Sequence, residues 1–356
     1  MKFRFLFLLL LFACAFAVAK PAAASAPSNT FTNPLLPSGP DPSVTFRGGF
    51  YYYMNTTGNN LTIWKTRDIT DLKHAEKKVV WTPPATGPDS KDIWAPELHF
   101  LRGKWYIYFA ADDGVEENHH LWVVENSSPD PLAGSWKMKG KLPDTIDTWA
   151  IDPTVFENRG IAYVLWAGWK SHVDQGVTNI YISRLKNPWT MEGPRVRLST
   201  PQYPWEKVGD RKDRPYIMAV PHVDVNEGPE ILQHGDKIFL VYSASGCWTD
   251  YYELGMLTAS ASSNLLDPAS WKKSSKPVFW QSAAASAFGP GHNTFFKSPD
   301  GTQDWIMFHA NPKPNQGCGG NRQPRAQPIH WNADGMPDFG RPIPLNQPIP
   351  KPSGTK

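Results

Sequence analysis

Three carboxylates occupy comparable places in the sequence, each beside a residue that is typical of a turn. Asp41 and Asp152 are both followed by proline, and Glu227 is followed by Gly-Pro. A single Asp-Pro pair usually marks a turn or a cap, but three carboxylates brought to one narrow site would repel one another. Their pKa values would then separate, so that one carboxyl stays protonated while another is ionised. Cleavage of a glycosidic bond requires that combination, an acid for the leaving oxygen and a base or nucleophile at the anomeric carbon.

A repeated β-hairpin indicates how the three carboxylates are brought together. Five times, a short apolar segment is followed by a turn signal and then by a stronger aromatic or β-branched run, which is the pattern of a hairpin. The repeats begin near positions 41, 94, 152, 227 and 289. Radial repetition of small sheets predicts an all-β protein, a five-bladed β-propeller. A β-sandwich or two stacked β-domains is the alternative.

In a propeller the first strand of each blade is innermost, so carboxylates at the starts of these strands converge on one axis. The third repeat is interrupted by residues 202–224, which are rich in Pro, Lys and Asp and predict a long surface loop. His119 and His120 stand in a polar stretch and also predict a solvated loop.

The composition excludes several classes of protein. Of the 356 residues, 13% are aromatic and only 19% are charged, which is the opposite of a disordered chain. The 27 glycines and 35 prolines leave little room for long helices or a coiled coil. A net charge of +3 is too small for a nucleic-acid-binding protein.

The N-terminus predicts secretion. A basic segment and a short apolar run ending in Ala-Val-Ala predict a signal peptide at residues 1–19. Residues 20–30, which are rich in Ala, Pro and Ser, are expected to form a flexible leader, and residues 31–350 are expected to form one catalytic domain. A membrane anchor is the alternative, but the apolar run is short for a membrane span, so no membrane association is expected.

The cysteines predict one disulfide bond. Removal of the signal peptide would also remove Cys14 and leave Cys247 and Cys318. Two remaining thiols usually pair in an oxidising compartment, so a Cys247–Cys318 disulfide is expected. Two separate buried thiols are the alternative.

The chain resembles a family 43 glycoside hydrolase over almost its whole length. The resemblance rests on six motifs in chain order: Gly39–Ser43, Ile93–Glu97, Trp149–Pro153, Asn226–Pro229, Gly289–Asn293 and Arg322–Gln327. That family consists of five-bladed propeller enzymes that hydrolyse arabinose- and xylose-containing glycans with inversion. The resemblance is closest to exo-acting α-L-arabinofuranosidases that attack α-1,5-linked arabinan, and the segments around Cys247 and Cys318 contribute to it.

The resemblance implies a role for each of the three carboxylates. Asp41 would be the general base that deprotonates the attacking water, and Glu227 would be the general acid. Asp152 would lie near Glu227, orient it and raise its pKa by like-charge proximity. Inversion requires the acid and the base to stand about 6.5–9.5 Å apart, which leaves room for a water. No cofactor is needed for this chemistry.

Four further residues are predicted to bind substrate, namely Trp94, Trp166, His292 and Arg325. Trp94 would stack on a sugar ring, and Trp166 would line the rim; ordinary core packing is the alternative for both. His292 resembles the family's axial histidine, which implies contact with a structural calcium ion in the propeller channel. Arg325 resembles an arginine that reaches the sugar from the last blade, with a surface ion pair as the alternative.

Together these features predict a secreted, monomeric inverting hydrolase that releases L-arabinofuranose from plant cell-wall polysaccharide such as arabinan or arabinoxylan. A β-xylosidase or an endo-arabinanase of the same family is the alternative, since the same three carboxylates serve all of them. A propeller lectin that binds plant glycans without cleaving them is the alternative from a different class.

Overall fold

Regular structure in the described residues consists almost entirely of β-strands. The structure is a computed structural model, and it describes residue 1, residues 29–211 and residues 220–355. Its strands are β1 Thr30–Phe31, β2 Ser43–Arg47, β3 Phe50–Met54, β4 Leu61–Thr66, β5 Glu76–Trp81, β6 Lys91–Leu101, β7 Lys104–Asp112, β8 His120–Asn126, β9 Lys137–Lys141, β10 Ala150–Asn158, β11 Ile161–Gly168, β12 Val177–Asn187, β13 Thr190–Ser199, β14 Asp224–His234, β15 Lys237–Ala244, β16 Glu253–Ser260, β17 Lys272–Lys273, β18 Phe288–Lys297, β19 Asp304–Asn311, β20 Gln323–Pro328, β21 His330–Trp331, β22 Pro337–Asp338 and β23 Ile349–Pro350. Its helices are short 3₁₀ turns at Ile69–His74, Glu116–Asn118, Pro204–Glu206, Pro268–Ser270 and Ala283–Ala285.

The strands form five successive antiparallel units, which begin with β2, β6, β10, β14 and β18. The first four units have four strands each and the fifth has three, so the five predicted hairpins are confirmed. The first hairpin turns at Gly48 and Gly49, both with positive φ. That conformation matches the right-handed twist of the strands and is accessible at low cost only to glycine and a few polar residues. A short parallel pairing of β12 with β14 joins the third and fourth units.

The units pack against one another in a cycle. The first strand of each unit contacts the first strand of the next, and β18 contacts β2. Five buried hydrophobic clusters lie between neighbouring units, including one that joins the fifth unit to the first through Tyr51, Tyr53, Trp305 and Met307. The two ends of the described chain also meet, because β1 pairs with β23.

A shared backbone feature marks the start of each unit's first strand. Five residues in equivalent places have positive φ, namely Asp41, Ala95, Asp152, Gly228 and His292. Four of them precede a proline, and in the last four units the strand pairing shifts at this point. A left-handed residue with a bulge re-aims the side chains of a strand, which directs these residues toward the centre of the cycle.

Two sequence expectations about segments need correction. Thr30, the last residue of the predicted flexible leader, belongs to β1 and pairs with Pro350. The segment 202–224 is not wholly a surface loop, because Glu206 is fully buried and pairs with Lys273 at 2.6 Å. Apart from residue 1, the predicted signal peptide lies outside the described residues. Among the described residues, no helix has the length and apolarity needed to cross a bilayer.

Candidate active site

One cavity of about 380 Å³ lies where the first strands of the five units converge. Each unit or the loop that follows it contributes to the wall. The lining residues include Asp41, Thr56, Trp94, Glu116, Trp149, Asp152, Arg211, Glu227, Cys247, Trp248, His292, Cys318 and Arg322. The structure therefore brings together the three carboxylates that the sequence singled out, although they are separated by up to 186 residues of chain. It also brings Trp94 and His292 to the same cavity.

Asp41 is surrounded by positive and hydrogen-bonding groups. Arg322 donates to its Oδ1 at 2.6 Å, and His292 Nδ1 lies 3.3 Å from the same atom. Burial by itself would raise the pKa of Asp41, but Arg322 and His292 outweigh burial and hold the pKa well below its usual value. Asp41 is therefore ionised throughout the ordinary pH range. This is the charge state of a general base.

His309 stabilises this arrangement as a neutral ring. The backbone N–H of Asp41 donates to His309 Nδ1 at 3.0 Å, so that nitrogen must be unprotonated. Burial and the neighbouring Arg322 hold the pKa of His309 well below its usual value, which agrees with this geometry.

Glu227 and Asp152 differ from Asp41 in that their pKa values are raised. Burial raises the pKa of Glu227 to about 7, with a further contribution from Asp41, against the lowering effect of the Tyr252 hydroxyl that donates to it at 2.9 Å. Burial likewise raises the pKa of Asp152 to about 7, and the nearby charges of Glu227 and Asp41 add to the rise. Both carboxyls can therefore hold a proton at a pH where Asp41 cannot.

A glycine links Asp152 to Glu227. The N–H of Gly228 donates to Asp152 Oδ2 at 2.9 Å, which ties the residue after Glu227 to the third unit. Gly228 has a φ of +52°, and a Cβ there would lie 3.2 Å from the His292 ring. Only glycine meets both demands easily, so the Glu-Gly sequence serves the site geometry as well as a turn.

The surroundings of His292 do not fit the predicted calcium site. Calcium prefers six to eight oxygen ligands, whereas the Nδ1 atom of His292 faces Asp41. Within the part of the chain that the structure describes, no group of three or more His, Cys, Asp or Glu side chains is arranged to hold a metal ion.

Two predicted substrate contacts are corrected. Trp166 is 0% exposed and packs in the core between the second and third units, with its ring 5.8 Å from that of Tyr181. Arg325 is also 0% exposed, and it donates to the carbonyl oxygens of Ala285 and Ser286. Side chains without exposed surface cannot contact a sugar in the cavity.

Other side chains take the places of Trp166 and Arg325. Trp149 lines the cavity and stacks on Trp169 at 5.1 Å, and Arg322 is the cavity's arginine on the last unit. Arg322 stands in the same sequence motif as Arg325, at the start of a strand. The three carboxylates stand at the starts of first strands, whereas Arg322 immediately precedes β20, the third strand of its unit, so the repeat provides no equivalent signal for Arg322.

The predicted disulfide is present and forms part of the cavity wall. Cys247 and Cys318 are bonded with a Cα–Cα distance of 5.2 Å. The bond connects the loop that carries Trp248 to the loop that leads into Arg322. A covalent link therefore joins the walls of the fourth and fifth units beside the Asp41–Arg322 pair.

Comparison with known proteins gives a consistent result. The profile of Glycosyl hydrolases family 43 matches residues 31–337. The chain is 39% identical over 329 residues to an extracellular exo-α-(1→5)-L-arabinofuranosidase of Streptomyces avermitilis, an alignment that covers 90% of this chain and 65% of the relative. It is 39% identical over 285 residues to a protein of the same name from Streptomyces chartreusis, covering 79% of this chain and 82% of the relative.

A solved structure agrees with these relatives. The crystal structure of an α-L-arabinofuranosidase from Lactobacillus brevis superposes with a TM-score of 0.81 at 35% identity, covering 89% of this chain and 98% of that one. The chain thus spans about two thirds of the length of the Streptomyces avermitilis relative and nearly all of the Lactobacillus brevis structure. With the profile match over most of its length, the chain belongs to Glycosyl hydrolases family 43.

Proposed function

We propose that this protein is an inverting, exo-acting α-L-arabinofuranosidase that releases L-arabinofuranose from arabinan or arabinose-decorated plant polysaccharide. The observation that carries the proposal is the opposed charge state of two carboxyls in one cavity. Arg322 keeps Asp41 ionised, whereas burial keeps a proton on Glu227 up to a pH of about 7. The names of the relatives above support arabinofuranoside as the sugar.

In the proposed reaction Asp41 takes a proton from a water molecule as the water oxygen attacks the anomeric carbon. Glu227 gives its proton to the glycosidic oxygen as the bond to the leaving sugar breaks. Attack and departure occur on opposite faces in a single displacement, so the configuration inverts. Asp152 acts on Glu227 in two ways, through its nearby carboxyl and through its hydrogen bond with Gly228. Arg322 and His292 keep Asp41 directed and ionised before the water is deprotonated.

The names of the relatives favour action at chain ends, since both Streptomyces proteins are named exo-acting. The wall of the cavity includes residues from all five units, and the disulfide links two of the loops that form it. An endo-acting enzyme would need a groove open at both ends. The same cyclic packing supports a five-bladed β-propeller, with each antiparallel unit as one blade.

Secretion is the proposed location. The basic and apolar segments at residues 1–19 are typical of a signal peptide. A disulfide persists in an oxidising compartment, which agrees with export. The two Streptomyces relatives are themselves named extracellular.

The test compares substrates and follows the anomeric configuration of the first product. We expect arabinose release from p-nitrophenyl α-L-arabinofuranoside and linear arabinan, with the β-anomer first in the proton NMR spectrum. Xylose release from p-nitrophenyl xyloside as the main activity would indicate a β-xylosidase, and internal cleavage of arabinan would indicate an endo-arabinanase. Binding of arabinan without any cleavage would indicate a lectin. The α-anomer as first product would exclude inversion.

A further inference from the structure

His119 is buried directly behind a wall of the cavity. The sequence predicts a solvated loop at this residue, but its side chain has no exposed surface. Its imidazole stacks on the indole of Trp94 with ring centroids 4.0 Å apart and ring planes 26° apart. Trp94 lines the cavity, so the indole face that His119 covers is unavailable to a ligand.

Both ring nitrogens of His119 face atoms that can only accept hydrogen bonds. Nε2 lies 3.1 Å from the carbonyl oxygen of Asp92. Nδ1 lies 3.0 Å from the carbonyl oxygen of Glu116 and 3.0 Å from Oδ2 of Asp112. Because neither carbonyl can donate, each nitrogen must carry a proton. His119 is therefore an imidazolium cation paired with the carboxylate of Asp112.

The charged groups around His119 agree with that assignment. Asp112 is fully buried, and its second oxygen accepts from Gly114 N at 2.8 Å. Burial lowers the pKa of His119, but the contact with Asp112 and the two carbonyls outweighs burial and leaves the pKa raised. The carboxyls of Asp92 and Glu116 are the other titratable groups packed nearby, and burial raises the pKa of each.

His119 also connects several parts of the cavity wall. Its ring contacts Trp94 on β6 and the short helix Glu116–Asn118. Its carbonyl oxygen accepts from Ala150 N at 3.1 Å, two residues before Asp152. His119 therefore contacts Trp94 in the cavity wall, the short helix Glu116–Asn118, and the strand that carries Asp152.

We propose that His119 is a positioning residue, an imidazolium held by Asp112 that fixes the indole of Trp94 as a platform for the bound sugar. The inference rests on the proposed function in so far as the sugar is arabinofuranose. A cation against an indole face is attractive, and a ring fixed before binding loses no further freedom when the sugar arrives. His119 thus acts on substrate binding through Trp94 and does not take part in bond cleavage.

The test uses the full chain with His119→Gln and, as matched control, His120→Gln, whose side chain is partly exposed and points to Asp147. His119→Gln is expected to raise KM for arabinan, and the inhibition constant of L-arabinose, by about tenfold while kcat changes less than about threefold. The control is expected to match wild type. A fall in kcat with unchanged KM would overturn the proposal.

A double-mutant cycle tests whether His119 acts through Trp94. In a Trp94→Leu background, His119→Gln is expected to change KM less than about twofold, because the platform is already absent. An equal effect in both backgrounds would overturn the proposal. If His119→Gln fails to fold, Asp112→Asn provides the same test: the lost carboxylate lowers the pKa of His119, so KM is expected to rise as the pH increases from about 6 to 8. A pH-independent KM in Asp112→Asn would overturn it.

A spectroscopic measurement separates this inference from the proposed function. The ¹⁵N shifts of the His119 ring, assigned by comparison with His119→Gln, are expected to report two protonated nitrogens at pH 8. A neutral ring at that pH would overturn the proposal whatever the activity. An imidazolium in a protein that releases no arabinose would mean that the proposed function has failed and that the geometry of His119 stands.

Discussion

Asp41 and Asp152 show how the same residue in the same local structure acquires opposite properties. Both have a positive φ, both precede a proline, and both are buried. Burial raises the pKa of Asp152 to about 7, whereas Arg322 at 2.6 Å overcomes burial at Asp41 and lowers its pKa. One long-range ion pair therefore separates an ionised carboxylate from a proton-holding carboxyl.

The proposed role of Glu227 as the general acid predicts a defect that depends on the substrate. Glu227→Gln keeps the shape of the side chain but cannot give up a proton, so kcat on arabinan is expected to fall by roughly 10²–10⁴. p-Nitrophenolate leaves with little protonation, so the loss on the p-nitrophenyl arabinofuranoside should be much smaller. Steady-state rates on both substrates check this expectation. Asp41→Asn is the matched comparison, because loss of the base should slow both substrates alike, and equal losses for Glu227→Gln would contradict the assignment.

The role of Arg322 predicts a change in the pH profile. In the wild type, activity is expected to fall as the pH rises through about 7, where Glu227 loses its proton, and to stay level on the acid side because Asp41 remains ionised. Arg322→Met removes the cation, so burial dominates and the pKa of Asp41 rises. An acid limb should then appear in the profile of kcat/KM, and Arg322→Lys should largely suppress it. A profile of unchanged shape in Arg322→Met would contradict this account.

At the scale of elements, the first strand of each unit positions the side chains that line the cavity. A left-handed conformation turns the side chains of Asp41, Asp152 and His292 into the cavity, and the strand pairing also shifts at Asp152 and His292. Non-glycine residues rarely adopt this conformation, and they persist in it only where the surroundings impose it. The prolines that follow Asp41 and Asp152, together with the ladders of each hairpin, supply that constraint.

The disulfide is an element-scale feature with two expected consequences. Its 71-residue span restricts the unfolded chain, so Cys247→Ser with Cys318→Ser is expected to lower the free energy of unfolding by about 2–5 kcal/mol. Because the bond also forms part of the cavity wall, KM should rise in the same variant. Denaturant titration and steady-state kinetics measure the two effects. Two reactive thiols in the denatured, unreduced wild type would contradict the bond itself.

At the scale of the whole molecule, the cycle of units gathers polar groups from distant parts of the chain. Two residues after each left-handed position stand Ser43, Glu97, Thr154, Glu230 and Thr294. Glu97, with its side chain 14% exposed, hydrogen-bonds to Glu230 and contacts His99 at 2.9 Å. Burial raises the pKa of Glu97 to about 8, and burial together with Glu97 raises that of Glu230 well above its usual value.

These raised pKa values predict that the fold loses stability as the pH rises. A carboxyl that is protonated in the fold and ionised in the unfolded chain stabilises the fold fully below its unfolded pKa, near 4.5 for glutamate. That stability is lost between about 4.5 and 8, at about 1.4 kcal/mol per pH unit for one such group. Glu97→Gln should therefore have a shallower decline in Tm over this range than the wild type. The exposed Glu76→Gln is the control, and an equal slope in Glu97→Gln and wild type would contradict the account.

The sequence alone determined the features that depend on residues close together in the chain. The hairpins, their turns and the starts of the five units follow from alternating apolar runs and glycine-containing turns, which act over a few residues. The repeat then placed Asp41, Asp152 and Glu227 at the starts of the first strands of three units, and the scarcity of cysteines left one pairing for Cys247 and Cys318.

Only the tertiary structure decided which nearby side chains face the cavity and which protonation states they hold. Arg322 and Arg325 stand three positions apart, and an odd spacing places two residues on opposite faces of an extended segment. The packing of the units determines that Arg322 contacts Asp41 in the cavity and that Arg325 is buried against Ala285. Trp166 entered a core between units, while Trp149 and Trp94 reached the site. His119 looked solvated because Trp94, which covers its ring, and Asp92, which accepts from Nε2, lie on a strand distant in sequence. Burial and charge are sums over such distant neighbours, so no local pattern could reveal them.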